Sequence, residues 1–128
     1  MRAVVLVLVL GCVSCARQDR DIQLHREALQ SLRSTAHATV TAWLAGNVSG
    51  TFTRTALERT YLLVEQERTA LAKRPEMLID SSGAALSDSA EHLARLIALL
   101  MKDIRDADSE SARAHRSALP TFHTSETQ

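Results

Sequence analysis

The sequence predicts an all-α protein, an up-down-up antiparallel three-helix bundle with a long third helix. First, glycine (4 residues), proline (2) and aromatic residues (3%) are scarce, a composition typical of helical proteins. Second, no stretch shows the sustained apolar/polar alternation of a half-buried strand. Third, a stripe with alternating steps of four and three residues marks one helix face that other helices must cover. Its members are Leu86, Ala90, Leu93, Ile97, Leu100, Ile104, Ala107, Ser111, Ala114 and Ala118.

Length and charge limit the number of domains and the kinds of partner. A chain of 128 residues is the size of one domain. Lys and Arg together number 15, and so do Asp and Glu. Such a balance creates no field that would attract nucleic acid. We therefore expect one helical domain with no nucleic-acid partner.

The first fifteen residues have the layout of a secretory signal. The positive charge of Arg2 precedes an apolar block, and the small residues Gly11 and Ser14 follow. This block is about a dozen residues long, whereas a helix that spans a bilayer needs roughly 20. We expect a secretory leader over residues 1–15. The alternative is a short uncleaved segment that dips into the membrane.

Both cysteines of the chain, Cys12 and Cys15, stand at the end of this apolar block. The arrangement resembles the lipobox of bacterial lipoproteins, in which a small residue precedes a cysteine that receives a diacylglyceryl group. Two registers fit, Gly11 before Cys12 and Ser14 before Cys15. We favour Cys15 as the lipidated residue, because it leaves a longer apolar block, and Cys12 is the alternative. Without a lipid, ordinary secretion would cleave after Ser14 or Ala16.

The resemblance also implies an address in the cell envelope. Neither Val13 nor Ala16, which follow the two cysteines, is the aspartate that retains enteric lipoproteins in the inner membrane. The resemblance therefore implies an outer-membrane lipoprotein that faces the periplasm; the alternative is a soluble periplasmic protein. Two acyl chains hold a protein stably on a membrane, where one does not.

Capping signals predict the bounds of the first two helices. Asp19 or Asp21 could cap the first helix, and two glycines in residues 46–50 mark the turn that follows it. Thr55 and Glu58 fit a capping box for the second helix. Pro75 should end that helix, because the residue before a proline disfavours helical geometry.

The third helix follows a connection whose apolar residues 77–79 we expect to cover one end of the core. It could begin near Ser82 or be capped by Asp88. Pro120 should end it, which gives a bundle domain over residues 16–120 and a polar tail over residues 121–128. Asp108 could instead cap a separate fourth helix. We favour a continuous helix, because the apolar stripe stays in register through residues 106–108.

A continuous third helix would be longer than its neighbours. From residue 83 to 119 it would span roughly 54 Å, against about 40 Å for the first helix. Its end would then overhang the bundle and present small residues, which allow another helix to approach closely. Ala107, Ser111, Ala114 and Ala118 would form a docking face for a second copy or a partner helix. The alternative is an exposed, alanine-rich helix end.

Five histidines are the only candidates for a metal or acid/base site: His25, His37, His92, His115 and His123. His25 lies on the apolar stripe of the first helix, so we expect it half-buried with its ring hydrogen-bonded. No paired-histidine metal motif, Glu-x-x-His repeat or c-type haem motif occurs. We therefore expect no metal and no cofactor, although His25 with His37, His92 or Met101 remains the candidate ligand set.

No motif of nucleophilic catalysis or phosphate cradling occurs in the sequence, so we expect no enzyme activity. The leader and the apolar stripe favour a small lipid-anchored helical envelope protein with an interaction or structural role. The alternative function is a periplasmic metal- or ligand-binding helical bundle.

Overall fold

The computed structural model describes residues 2–123, with side chains from residue 16 onward. The described chain is all-α and contains no strand, which confirms the predicted fold class. Its helices are α1 (Arg2–Leu44), α2 (Gly50–Ala72), α3 (Pro75–Ile79), α4 (Ser81–Arg105) and α5 (Ser109–Ser117). Among these helices, none has both the length and the apolar content that a membrane span requires.

The core lies between the three long helices α1, α2 and α4. Glu67 near the end of α2 contacts His25 of α1, so α2 returns along α1. Gly50, at the start of α2, lies beside Ile104, at the end of α4. The apolar stripe is buried along all of α4, with no member more than 5% exposed: Leu86, Ala90, Leu93, Ile97, Leu100 and Ile104. Leucines and valines of α1 and α2 complete the core: Leu29, Val40, Leu57, Val64 and Leu71.

The turn after α1 forms at the predicted glycine. Gly46 has a φ of +77°, the left-handed conformation that glycine adopts at low cost. Its N–H donates to the carbonyl of Trp43 at 3.0 Å, and the N–H of Asn47 donates to the carbonyl of Ala42 at 2.9 Å. These two bonds are a Schellman motif, which satisfies the last carbonyls of the helix.

The start of α2 lies earlier than the capping box predicts. Ser49 is the N-cap, and its Oγ accepts a 3.1 Å hydrogen bond from the N–H of Phe52. Thr55 already lies inside the helix, where its hydroxyl donates to the carbonyl of Thr51. The prediction that Thr55 caps α2 is wrong, because Ser49 caps the same helix more than one turn earlier.

The first helix likewise has no cap at Asp19 or Asp21, because α1 already begins at Arg2. Asp21 accepts a 2.7 Å hydrogen bond from Arg74 Nη1 instead. This ion pair raises the pKa of Arg74 above its ordinary range. The same ion pair connects the junction between α2 and α3 to α1.

The prediction that residues 77–79 cover one end of the core holds only in part, for Met77 in the short helix α3. Met77 is fully buried, whereas Ile79 is 87% exposed. Asp80 then caps α4 by accepting from the N–H of Ser82. The helix begins at Ser81, which agrees with the predicted start near Ser82, whereas the alternative cap at Asp88 is wrong. A Cβ on Gly83 would lie 1.8 Å from the carbonyl oxygen of Met77, so this contact between α3 and α4 requires glycine.

The predicted long third helix is broken. Its first part, α4, ends at Arg105, and α5 begins at Ser109. Asp108 caps α5 by accepting from the N–H of Ser111 at 3.0 Å, and this bond lowers the pKa of Asp108. The preference for a continuous helix is therefore wrong. The buried residue of α5 is Ala112, which does not belong to the predicted stripe.

After the break, the chain turns back along α1. Arg116 Nη1 donates to Thr41 Oγ1 at 3.0 Å, and the N–H of Phe122 donates to Gln30 Oε1 at 3.0 Å. Leu119 is 4% exposed and Phe122 7%, so the packed chain extends past Pro120 into the predicted tail. Residues 124–128 of that tail lie outside the described part of the chain.

Candidate functional site

The predicted docking face does not form, because the overhanging helix on which it depends does not exist. Ala107 lies in the turn between α4 and α5 with a φ of +53°. Ser111 is half-buried on α5, whereas Ala114 and Ala118 are exposed. Without a continuous helix, these four residues cannot present one straight stripe to a partner.

The predicted lipidation residues Cys12 and Cys15 lie in the backbone of α1, but their side chains fall outside the described part of the structure. The first described side chains after them, Ala16 and Arg17, are exposed. The candidate attachment point therefore lies within α1, ahead of Ile22, the first residue of that helix that is buried in the core.

The candidate histidine ligands do not converge. His25 Nδ1 lies 2.5 Å from Glu67 Oε2, and both side chains are about three-quarters buried, as the position of His25 on the apolar stripe predicts. His37 lies three turns further along α1, roughly 18 Å away, and His92 is exposed on α4. Met101 faces a separate pocket between α2 and α4. In the described chain, no three His, Cys, Asp or Glu side chains form a metal-sized cluster.

A second histidine–carboxylate pair escaped the sequence analysis. His115 Nδ1 of α5 lies 2.5 Å from Asp103 Oδ2 of α4, and the Asp103 side chain is only 7% exposed. A buried carboxylate is costly unless it has a hydrogen-bonding partner, so this pair holds α5 against α4. The two residues meet only because the chain reverses between them, and no local spacing motif marks such a pair.

A cluster of basic residues lies where α5 crosses α1; we call Arg33, His37 and Arg116 the α1–α5 basic cluster. Arg33, His37 and Thr41 follow each other at four-residue steps on one face of α1, and Arg116 reaches this face through its bond to Thr41. Burial is the largest cause that lowers the pKa of His37, and the charges of Arg33 and Arg116 lower it further. The imidazole is therefore predominantly neutral at pH 7.

An open apolar groove lies between α1 and α2, and we call it the α1–α2 groove. It encloses about 570 Å³. Its lining is mainly aliphatic, aromatic and threonine side chains: Leu32, Thr35, Phe52, Thr55, Ala56, Arg59, Thr60 and Leu63. Phe52 is 59% exposed and Leu63 41%, although both side chains are large and apolar.

A shallower depression of about 370 Å³ continues the α1–α2 groove along α2 toward Gln66. It adds Leu62, which is 57% exposed, and shares Leu63 and Arg59 with the groove. Three large apolar side chains are therefore exposed along this side of α2. A contiguous exposed apolar patch with polar edges is typical of a surface that binds another protein.

The helical stripe that predicts the core does not reveal this groove, because Phe52, Leu62 and Leu63 lie off that stripe. Their exposure follows from how α1 and α2 pack, which a single-helix pattern does not contain. No protein-family model, curated protein or solved structure matches this chain.

Proposed function

We propose that this chain is a small lipid-anchored helical protein of the bacterial cell envelope, facing the periplasm from the outer membrane. In this proposal it is a non-enzymatic interaction module, with α1, α2 and α4 as an up-down-up frame. The α1–α2 groove binds an amphipathic helix of an envelope protein. The observation that carries the interaction is the exposure of Phe52 and Leu63 in a groove between two helices.

The energetics of the groove support a helical partner with aliphatic side chains. Fully burying one large apolar side chain contributes about 1.5–3 kcal/mol, so covering Phe52, Leu62 and Leu63 together would support stable binding. Arg59 lines both depressions and could pair with an acidic residue of the partner. The partner helix would place its apolar residues at three- and four-residue steps in the groove.

The position of the candidate anchor agrees with this function. The groove residue Leu32 is sixteen residues beyond Ala16 on the same helix, α1. At 1.5 Å per residue the two are about 24 Å apart. An anchor at Cys15 would therefore hold the groove clear of the membrane surface, within reach of periplasmic or membrane-attached proteins.

The anchor is tested by the intact mass of the protein purified from its host membrane. We expect the mass of residues 15–128 with a diacylglyceryl group and a further acyl chain on Cys15. Cys15→Ser should abolish the added lipid, whereas the matched variant Cys12→Ser should keep it. A mature chain that begins at Ala16 or Arg17 without lipid would contradict the anchor, and a lipid on Cys12 would move it to the other register.

The groove is tested by photo-crosslinking in living cells, with a photoreactive amino acid at position 52. We expect one adduct with an envelope protein, and Leu63→Glu should reduce it severalfold, because a charge in the groove must lose its water on binding. The control places the same photoreactive group at Ile79, which is more exposed but lies outside the groove. Equal adducts at both positions, or an adduct of twice the mass of the chain, would refute the proposed partner.

Metal titration separates this function from the alternative, a periplasmic metal-binding bundle. Calorimetry with Zn²⁺, Ni²⁺ and Cu²⁺ should give at most millimolar affinity, because His25, His37 and His92 lie apart. Micromolar affinity that His25→Gln or His37→Gln abolishes would favour the metal-binding function instead.

A further inference from the structure

The α1–α5 basic cluster concentrates positive charge in a small space. Residues 33, 37 and 41 share one face of α1, and each four-residue step advances about 6 Å along the helix. Because Thr41 Oγ1 accepts from Arg116 Nη1 at 3.0 Å, the Arg116 guanidinium lies within about one turn of His37. Two guanidinium groups therefore flank one imidazole.

No carboxylate neutralises these guanidinium groups within the described residues. Neither Arg33 nor Arg116 takes part in an ion pair there. The buried carboxylate of Asp103 is already paired with His115. Burial lowers the pKa of His37, and the charges of Arg33 and Arg116 lower it further, which agrees with the proximity of the three side chains.

One donor of the cluster is buried without a partner. Arg33 Nε has no exposed surface and no hydrogen-bond acceptor. A buried donor without an acceptor destabilises the folded chain, and a charged donor does so more strongly. An oxyanion bound to the guanidinium of Arg33 would neutralise its charge, because a guanidinium matches the geometry of phosphate and carboxylate oxygens.

We propose that Arg33, His37 and Arg116 form a binding site for a small oxyanion of the phosphate class. The two guanidinium groups would bind the anion, and Thr41 would position Arg116. Arg33 is about 26 Å along α1 from Ala16, so on an anchored protein the site would stand away from the headgroups of the anchoring membrane. The ligand would then be a free phosphate or a soluble phosphomonoester.

The site is tested with the full-length chain in a neutral detergent, titrated with inorganic phosphate at ionic strength held constant with sodium chloride. Nuclear magnetic resonance of the His37 imidazole reports binding. We expect saturation with a Kd of about 1 mM or below. We also expect a rise in the pKa of His37, because a bound anion favours the imidazolium form.

Variants assign the binding to named residues. Arg33→Gln and Arg116→Gln should each weaken phosphate binding about tenfold or more. The matched controls Arg20→Gln on α1 and Arg113→Gln on α5 change exposed arginines of the same helices and should change the Kd less than about twofold. Circular dichroism verifies that each variant folds. If Arg33→Gln does not fold, the comparison of Arg116→Gln with its control Arg113→Gln is sufficient to test the site.

Three results would overturn the proposal. The first is the absence of saturable binding up to about 10 mM phosphate. The second is equal weakening by the control variants, which would mean that phosphate only screens the surface. The third is a His37 response to vesicles of phosphatidylglycerol but not to free phosphate, which would make the site a lipid-headgroup contact.

Discussion

At the scale of single residues, Gly83 leaves no room for a side chain where α4 meets α3. Even a methyl group there would overlap the carbonyl oxygen of Met77, at a Cβ–O distance of 1.8 Å. A carbonyl belongs to the backbone, so it can move only with the whole of α3. The constraint is steric, because Gly83 does not have a positive φ.

We predict that Gly83→Ala destabilises the protein by about 1–3 kcal/mol, the cost typical of overpacking. The matched control is Gly50→Ala, because a Cβ at Gly50 would meet its nearest atoms, in Ile104 and Trp43, at an ordinary 3.7 Å. Urea unfolding followed by circular dichroism measures both free energies. Equal stability of the two variants would contradict the close approach of α3 and α4.

A second constraint at this scale is the burial of Asp103. Its carboxylate contacts His115 on the following helix, and its backbone carbonyl accepts from the N–H of Asp108 at 2.8 Å. Both groups of Asp103 are therefore used to fix the reversal between α4 and α5. This double use explains how an acidic residue is accommodated next to buried Ile104.

At the scale of elements, α1 and α4 end in the same way. At the end of α4, the N–H of Ala107 donates to Ile104 and the N–H of Asp108 to Asp103, the Schellman pattern that Gly46 and Asn47 form after α1. One motif has glycine in its left-handed position and the other has alanine. Glycine marks the first motif in the sequence. The second has no such mark, because alanine is a strong helix former.

We predict that Ala107→Gly stabilises the protein by about 0.5–1 kcal/mol, because a left-handed conformation costs alanine more than glycine. Ala114→Gly is the matched control on exposed α5 and should destabilise by about 1 kcal/mol, because glycine is a poor helix former. Chemical denaturation gives both values. If Ala107→Gly destabilises as much as Ala114→Gly, the chain continues as a helix through residue 107.

At the scale of the whole molecule, the end of the described chain packs back against the first helix. Leu119 and Phe122 are buried, and the bond from the N–H of Phe122 to Gln30 joins residues 92 positions apart. The last packed residues therefore lie against α1, the helix that begins the chain. This return path also carries Arg116 to the face of α1 that holds Arg33 and His37.

We predict that Phe122→Ala lowers the free energy of unfolding by about 3 kcal/mol, within the range for truncating a buried aromatic residue. It should also make residues 109–123 more accessible to protease, because the buried apolar side chain nearest the end of this segment is lost. Thr121→Ala, which changes the exposed neighbour, should have little effect on either property. Urea unfolding and the rate of limited proteolysis near α5 check this; equal rates in the two variants would show that Phe122 does not hold the segment.

The sequence by itself determined the helical class, the buried face of α4 and the turn at Gly46, because each depends on local periodicity or on the freedom of one residue. Only the tertiary structure decided the reversal after Arg105, the Asp103–His115 pair, the α1–α5 basic cluster and the α1–α2 groove. Each of these depends on which surfaces of distant segments meet. The apolar stripe continues in register through residues 106–108, so a straight helix is compatible with the sequence. The folded-back chain is more stable because it buries Ala112, Leu119 and Phe122.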